Sequence, residues 1–436
     1  MLEEALNRTI LLMQTELRPG ADPARLLAAL TGVRVTLKAD RAALATYAGQ
    51  CAYVTAALTM ARSGHEIWLG GEETPLVGAQ PPLADGLLFE QLLAVGRDLL
   101  PGCAFRRGTP DGRVDLAVVI GAPDGPVDAA QIAYLDADAW SGSLAETPHA
   151  WGAQDWPAGG MAAGALAAGE AFKAAMRAVR DLARTPDVFD DMFAPCHTAR
   201  IALAPADTPQ HAALGDFDLV SGGAIANAAL FVLLRLPGVK GSGRVIDHDR
   251  SGLSNLNRNA LLRRSALAEF KVDDLARFGD GLDIRPEPVR FEGDMALGRI
   301  VLVGVDDIPS RWRAQAAGPA WLGVGGTDRF MVQVSEHRPA DACAGCLHPA
   351  ASDNTDPIPT VAFVSFWSGL LLAVRLLRMA GGTICPPGEQ QRLFTTLRPE
   401  SWNYTAYPVA PNANCPVGCG AATSMGDGSA RPGLAA

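Results

Sequence analysis

Two short apolar runs closed by turn residues constrain this chain most: VDLAVVIGAP from Val114 to Pro123, and IVLVGVDD from Ile300 to Asp307. Runs of this length, apolar nearly throughout, suit strands of a parallel sheet covered on both faces. Parallel strands need long crossovers, so helical patterns should flank them. They do. Before the first run, AALATYAG reads as a strand, CAYVTAALTMARSG as a helix ended by Gly64, and HEIWLGG as a strand ended by Gly70 and Gly71. Before the second run, FDLVSGG, AIANAALFVLLRLPG and GRVIDHD repeat that order as strand, helix and strand. The first thirty-odd residues carry apolar positions at helical spacing, and the Ala- and Gly-rich stretch from Gly159 to Arg184 reads as a packed helix. The expected architecture is α/β, with two doubly wound Rossmann-like units in tandem from a diverged duplication. The Pro- and Asp-containing stretch from Thr185 to Pro209 is the expected linker, which places the domains at 1–200 and 201–436.

The chain has 436 residues and a formal net charge of −10, with no basic block to offset it, which argues against a general nucleic-acid binder. No apolar run is read as long enough to span a bilayer, and MLEEALNRTI lacks the order of a secretion signal, so a cytoplasmic location is expected, with no membrane partner. Of the eight cysteines, Cys51, Cys103, Cys196 and Cys385 are scattered; Cys343/Cys346 and Cys415/Cys419 form two close pairs. In a reducing compartment such pairs read as metal ligands, and four thiolates suit tetrahedral Zn²⁺.

The chemistry concentrates in the second half. The turn Ser221-Gly222-Gly223 lies between a strand and a helix, where small residues let backbone N–H groups and the helix dipole meet a phosphate. The next strand ends in Asp247-His248-Asp249, where a ribose hydroxyl would be bound. Downstream come Ser254-Asn255-Leu256-Asn257-Arg258, then Lys271, then Asp306-Asp307 with Arg311. The first half looks like a decayed counterpart: TYAGQCAYVTAA has a single Gly, and LGG ends its second strand without a carboxylate.

These motifs, from about Phe217 to Gly420, resemble the ThiF/MoeB/ubiquitin-activating superfamily. The resemblance implies an enzyme that uses ATP to adenylate the C-terminal carboxylate of a small ubiquitin-like protein ending in Gly, for hand-over to a conjugating enzyme. Arg258 and Lys271 would neutralise phosphate charge, and Asp306 would help hold Mg²⁺. Asp247 or Asp249 would take the ribose, Gly222 and Gly223 would cradle phosphate, and Asn255 would contact phosphate or hold its loop. Cys343, Cys346, Cys415 and Cys419 look like the family's structural zinc site, with one extra residue in the second pair. The inactive first unit and active second unit would make a pseudo-dimer within one chain. An arginine from the first, Arg8 among the candidates, would reach the ATP. The composition and size fit a bacterial version.

Two departures stand out. Ala224 and Ala226 replace family glycines, and the segment Ala350 to Pro359 has no cysteine where a thioester-forming one is usual. The reaction would then stop at the acyl-adenylate, form an ester on Thr355, or use an isolated thiol such as Cys385 or Cys196. Rival readings are a sulfur-carrier-protein adenylyltransferase, an enzyme modifying a ribosomal peptide, and a catalytically inactive scaffold that docks a ubiquitin-like protein. An NAD-dependent oxidoreductase leaves the Ser254–Arg258 segment and the cysteine pairs unexplained.

Overall fold

The computed structural model describes the chain apart from residues 103, 104, 126, 153, 280, 352–356, 384, 400–404 and 420–436. Fifteen strands are described: β1 (Arg34–Ala39), β2 (Glu66–Gly70), β3 (Phe105–Arg107), β4 (Val114–Ile120), β5 (Ala129–Ala137), β6 (Ser141–Ala145), β7 (Ala199–Ala202), β8 (Ala213–Val220), β9 (Lys240–Ile246), β10 (Leu282–Glu287), β11 (Ile300–Val303), β12 (Trp321–Asp328), β13 (Met331–His337), β14 (Gln391–Thr395) and β15 (Thr405–Tyr407). They form two sheets, ordered β3-β2-β1-β4-β5-β6-β7 and β10-β9-β8-β11-β12-β13-β14-β15. In each, the first five strands run parallel, and the next two add antiparallel. The second sheet thus repeats the order and direction of the first and adds β15.

The expected strand AALATYAG is instead helical. Asp40 accepts the amide of Ala43 and starts a helix over Arg41–Leu44; Thr46 accepts the amide of Gly49 and starts Tyr47–Arg62. Side-chain caps at both starts, followed by alanine-rich sequence, favour helix over strand. The strand lies just upstream, where RVTLKA buries Val35, Leu37 and Ala39. The stretch 185–209, expected as a linker, holds the helix Pro186–Met192 and strand β7, whose ARIA alternates buried and exposed against β6.

In each half, a helix after the first central strand packs against a later helix: Tyr47–Arg62 on Ala158–Arg177, and Ala224–Leu233 on Ala362–Ala380. Glycines set both contacts. A Cβ on Gly160 would lie 2.5 Å from the Ala48 carbonyl oxygen, and one on Gly369 would lie 2.5 Å from that of Ile225. The helix Ala362–Ala380 also packs on both helices of the first half, and Phe363 meets Phe172 with ring centroids 5.6 Å apart. One continuous apolar core therefore joins the two sheets.

By length and composition Ala362–Ala380 could cross a membrane, contrary to the sequence reading that no run approaches that length; here 94% of its apolar window is buried inside the protein. The far face of the second sheet carries a smaller core, where Val220, Ile246, Val301 and Val303 are covered by Ala314 of the helix Ile308–Ala316. Alternate residues of β8, β9 and β11 thus point into different cores, as a sheet wound on both faces requires.

Candidate functional site

In the second sheet the chain runs from β8 outward through β9 to β10, then returns to the other side of β8 as β11. Loops leaving the carboxyl ends of β8 and β11 diverge there and open a crevice, the place where doubly wound sheets bind ligands. The turn Ser221–Gly223 and the loop Gly304–Asp306 both lie at it.

Ser221 takes φ +95°, a conformation unfavourable for any residue but glycine, and its hydroxyl accepts the Gly223 amide at 2.9 Å. The Gly222 amide donates to Asp247 Oδ2 at 2.7 Å, so both amides expected to cradle phosphate already have acceptors within the protein. A Cβ on Gly222 would sit 2.9 Å from Lys271 Cβ, which explains the glycine. The helix Ala224–Leu233 begins here with no side-chain cap among the described residues, leaving first-turn amides to a ligand or water. Buried Asn227, in its first turn, donates to the carbonyls of Gly222 at 2.8 Å and Gly223 at 3.1 Å, locking the turn.

The first half fills the same place with its own groups. Asp40, following β1 as Ser221 follows β8, accepts the amides of Ala43 at 2.7 Å and Ala122 at 2.6 Å. Its carboxylate thus caps the helix that starts at that sheet's switch point. Gln50 and Tyr47 tie down the loop after β2 through Pro75, Val77 and Ala79.

The two expected ribose carboxylates differ in surroundings. Asp247 is nearly buried, whereas Asp249 is half-exposed. Lys271 Nζ lies 2.6 Å from Asp249 Oδ2 and 3.8 Å from Asp247 Oδ2. Burial works against the Asp249 carboxylate, but the hydrogen bond and charge of Lys271 hold its pKa below the ordinary range. The lysine expected to meet phosphate is thus engaged by the aspartates beside it. Asn255 holds its loop, accepting the Gly252 amide at 2.8 Å.

Arg258 is mostly enclosed and donates to the Ser254 carbonyl and, at 3.0 Å, to Asn257 Oδ1. Burial pushes its pKa down to about 10, with the positive charge of Arg8 adding to the effect and Asp306 opposing it. Arg8, on the helix Asn7–Glu16, also feels the charge of Asp306. Arg258 from the second half, Arg8 from the first and exposed Asp306 therefore share one electrostatic neighbourhood.

Arg311, four residues past Asp307 in the sequence motif, clamps the loop that carries Asp306. Its Nε and Nη2 donate to the Val305 carbonyl at 3.1 and 2.8 Å, and its Nη1 lies 3.1 Å from His348 Nε2. Burial, with Arg311 beside it, lowers His348 to about 4, which leaves a neutral ring to accept that bond.

The four paired cysteines converge. Their sulfurs stand 3.0 Å apart for Cys346–Cys419, 3.2 Å for Cys343–Cys415, 3.5 Å for Cys415–Cys419 and 3.9 Å for Cys343–Cys346. Zn–S bonds of ~2.3 Å in a tetrahedron put sulfurs about 3.8 Å apart, so small relaxation accommodates the ion. All are too distant for an S–S bond of ~2.05 Å. The Asn412 amide points at Cys346 Sγ from 3.3 Å, as a thiolate would favour.

Thr355 lies outside the described residues. Cys103 also lies outside the described residues, and the other three isolated thiols are buried. Burial pushes Cys51 up to about 12 and Cys385 up to about 11, and Cys196 is buried with its thiol directed to the Thr198 carbonyl at 3.2 Å. Sequence reasoning missed Asn227, Thr9 and Arg62. All three are buried polar residues; only Asn227 sits within an otherwise apolar helix, AIANAALFVL, a pattern that asks for a partner in advance of any structure.

The fold is that of a doubly wound α/β protein, with the candidate residues gathered at the second sheet's switch point and a cluster of four cysteines in the same half. Residues 34–189 match the family described as the BilD N-terminal domain. A relative from Sinorhizobium fredii (strain NBRC 101917 / NGR234), "Uncharacterized protein y4jF", is 25% identical over 291 residues, covering 64% of this chain and 55% of the relative. The chain thus spans about half the length of the curated relative it matches. Among solved structures, E. coli MccB with ATP aligns at 15% identity over 47% of this chain and 66% of its own, with a TM-score of 0.39. The microcin C7 biosynthetic enzyme MccB in complex with N-formylated MccA aligns at 12% identity over 65% and 97%, with a TM-score of 0.40.

Proposed function

We propose that this chain uses ATP to adenylate the C-terminal carboxylate of a small ubiquitin-like protein, for transfer to a conjugating enzyme or another acceptor. The supporting observation is the shared neighbourhood of Arg8, Arg258 and Asp306 beside an uncapped helix N-terminus at the switch point. A carboxylate oxygen attacks the α-phosphorus, the bond to the β-phosphate bridging oxygen breaks, and pyrophosphate leaves with that electron pair. Both reactants are anions, so fixed cations and amide dipoles at the phosphates lower the barrier. Arg258 and Arg8 would face the developing charge, Asp247 or Asp249 would hold the ribose, and Lys271 would exchange Asp249 for phosphate. Mg²⁺, a hard cation, would take Asp306 and phosphate oxygens and offset their charge. The cysteine cage would bind structural Zn²⁺ and pin the 412–419 segment to the domain. The burial of Cys51, Cys196 and Cys385 favours a reaction that ends at the acyl-adenylate.

ATP–pyrophosphate exchange with a candidate ubiquitin-like protein tests this. Exchange should require the partner's terminal Gly and fall by ~10²-fold or more in Arg258→Ala, Asp306→Ala and Arg8→Ala. Absence of exchange from folded, zinc-loaded protein with every candidate partner would leave the scaffold reading in its place.

A further inference from the structure

Arg62 ends the helix Tyr47–Arg62 in the first half, is 1% exposed, and directs its guanidinium across the boundary between the halves. Nη1 donates to the Leu256 carbonyl at 2.7 Å, and Nη2 donates to those of Ala260 at 2.9 Å and Leu262 at 2.7 Å. These three carbonyls bracket Arg258. From the helix Asn7–Glu16, Thr9 Oγ1 accepts Asn257 Nδ2 at 2.9 Å, and Asn257 Oδ1 in turn accepts Arg258 Nη1. A void of only about 10 Å³ separates the groups, lined by Leu58, Thr59, Arg62, Arg258 and Ala260. That is room for at most about one water molecule, so the loop has little space in which to shift.

A buried charge is costly and persists only where its hydrogen bonds are met. Here the two terminal nitrogens are met by backbone that itself lacks regular structure, since 256–262 forms turns and no full helix. We infer that Arg62, seconded by Thr9, is a positioning residue for the proposed adenylation site: the first half fixes the loop that aims Arg258 at the phosphates. The first unit then contributes to chemistry through the Arg62 guanidinium and the Thr9 hydroxyl, in addition to Arg8. Planar geometry matters, because a guanidinium reaches three fixed acceptors that a single ammonium cannot satisfy in the same directions.

This inference rests on the proposed adenylation, so its test has an arm that needs no turnover. Hydrogen–deuterium exchange on the full chain should show faster exchange at 253–263 in Arg62→Lys and Thr9→Val, with β1, β4 and β11 as protected as in the wild type. In ATP–pyrophosphate exchange, Arg62→Lys should lower kcat by ~10–100-fold through misplacement of Arg258, with KM for ATP changed less than about threefold. It should add no further loss in an Arg258→Ala background. Unchanged protection of the loop in both variants would overturn the inference, as would additive losses with Arg258→Ala. Wild-type protein without exchange would overturn adenylation alone, and loop protection would still decide the role of Arg62.

Discussion

His65 shows how a single buried residue sets a pH limit on this protein. It is 1% exposed, and its Nδ1 lies 2.8 Å from the Leu30 carbonyl, so the proton sits on Nδ1 and the ring is neutral. Burial lowers its pKa from 6.5 to about 4, against the opposing pull of the Leu30 carbonyl and Asp115. The unfolded chain therefore takes up a proton below pH ~6.5 that the folded chain refuses until pH ~4, and stability falls as pH falls through that window. At pH 5 the loss from this residue is ~2 kcal/mol relative to pH 7.5. Urea unfolding at both pH values should show that difference shrinking in His65→Gln, with other titrating groups cancelling between the two proteins. Parallel loss in wild type and variant would assign the pH sensitivity elsewhere. At this scale the sequence pointed to the groups at the crevice because turn glycines, strand-end aspartates and a basic pair carry chemical type in their spacing. It could not show that Lys271 is bound to Asp249, that Arg311 serves a carbonyl, or that Arg62 crosses to the other half. Those are outcomes of packing between segments far apart in the chain.

Elements were legible where local pattern and tertiary role agree. The runs 114–123 and 300–307 open with the strands Val114–Ile120 and Ile300–Val303, as fully buried parallel strands must be apolar on both faces. AALATYAG failed because two caps, Asp40 and Thr46, outweigh a short apolar stretch. The knuckle element makes a prediction of its own. Its helix is one turn, Ala344–Leu347, and the opposing segment 412–419 has little regular structure, so burial alone does not hold them together. Purified protein should carry one Zn²⁺ per chain, and Cys343→Ser should lose it and lower Tm by ~5 °C or more, since a structural ion contributes folding free energy directly. Stoichiometric zinc in Cys343→Ser, or four thiols that react freely in fresh native protein, would remove the metal from this account.

At the scale of the molecule, the two sheets repeat one plan while dividing its labour. The first closes its crevice with Asp40, Gln50 and Tyr47; the second leaves a helix end open and borrows Arg8, Thr9 and Arg62 from its neighbour. The helix Ala362–Ala380 packs on Tyr47–Arg62 and Ala158–Arg177, and Lys173 Nζ reaches the Leu397 carbonyl at 3.2 Å. Separating the halves would expose these apolar faces and strand buried polar groups such as Arg62 and Arg235, whose Nη2 donates to the Pro81 carbonyl. Either penalty is on the order of a few kcal/mol per group, which a marginally stable domain cannot absorb many times. Residues 205–436 expressed alone should therefore be aggregated or poorly protected from proteolysis. Co-expressed with 1–204, the two fragments should purify as a one-to-one complex, because no covalent link is needed to satisfy the shared core. Recovery of pyrophosphate exchange in that complex, and its renewed loss when the 1–204 fragment carries Arg8→Ala, would show that the first half supplies a group in trans as it does in cis. A folded, monomeric 205–436 fragment with full exchange would show instead that the second sheet is self-sufficient and that the shared core serves stability alone.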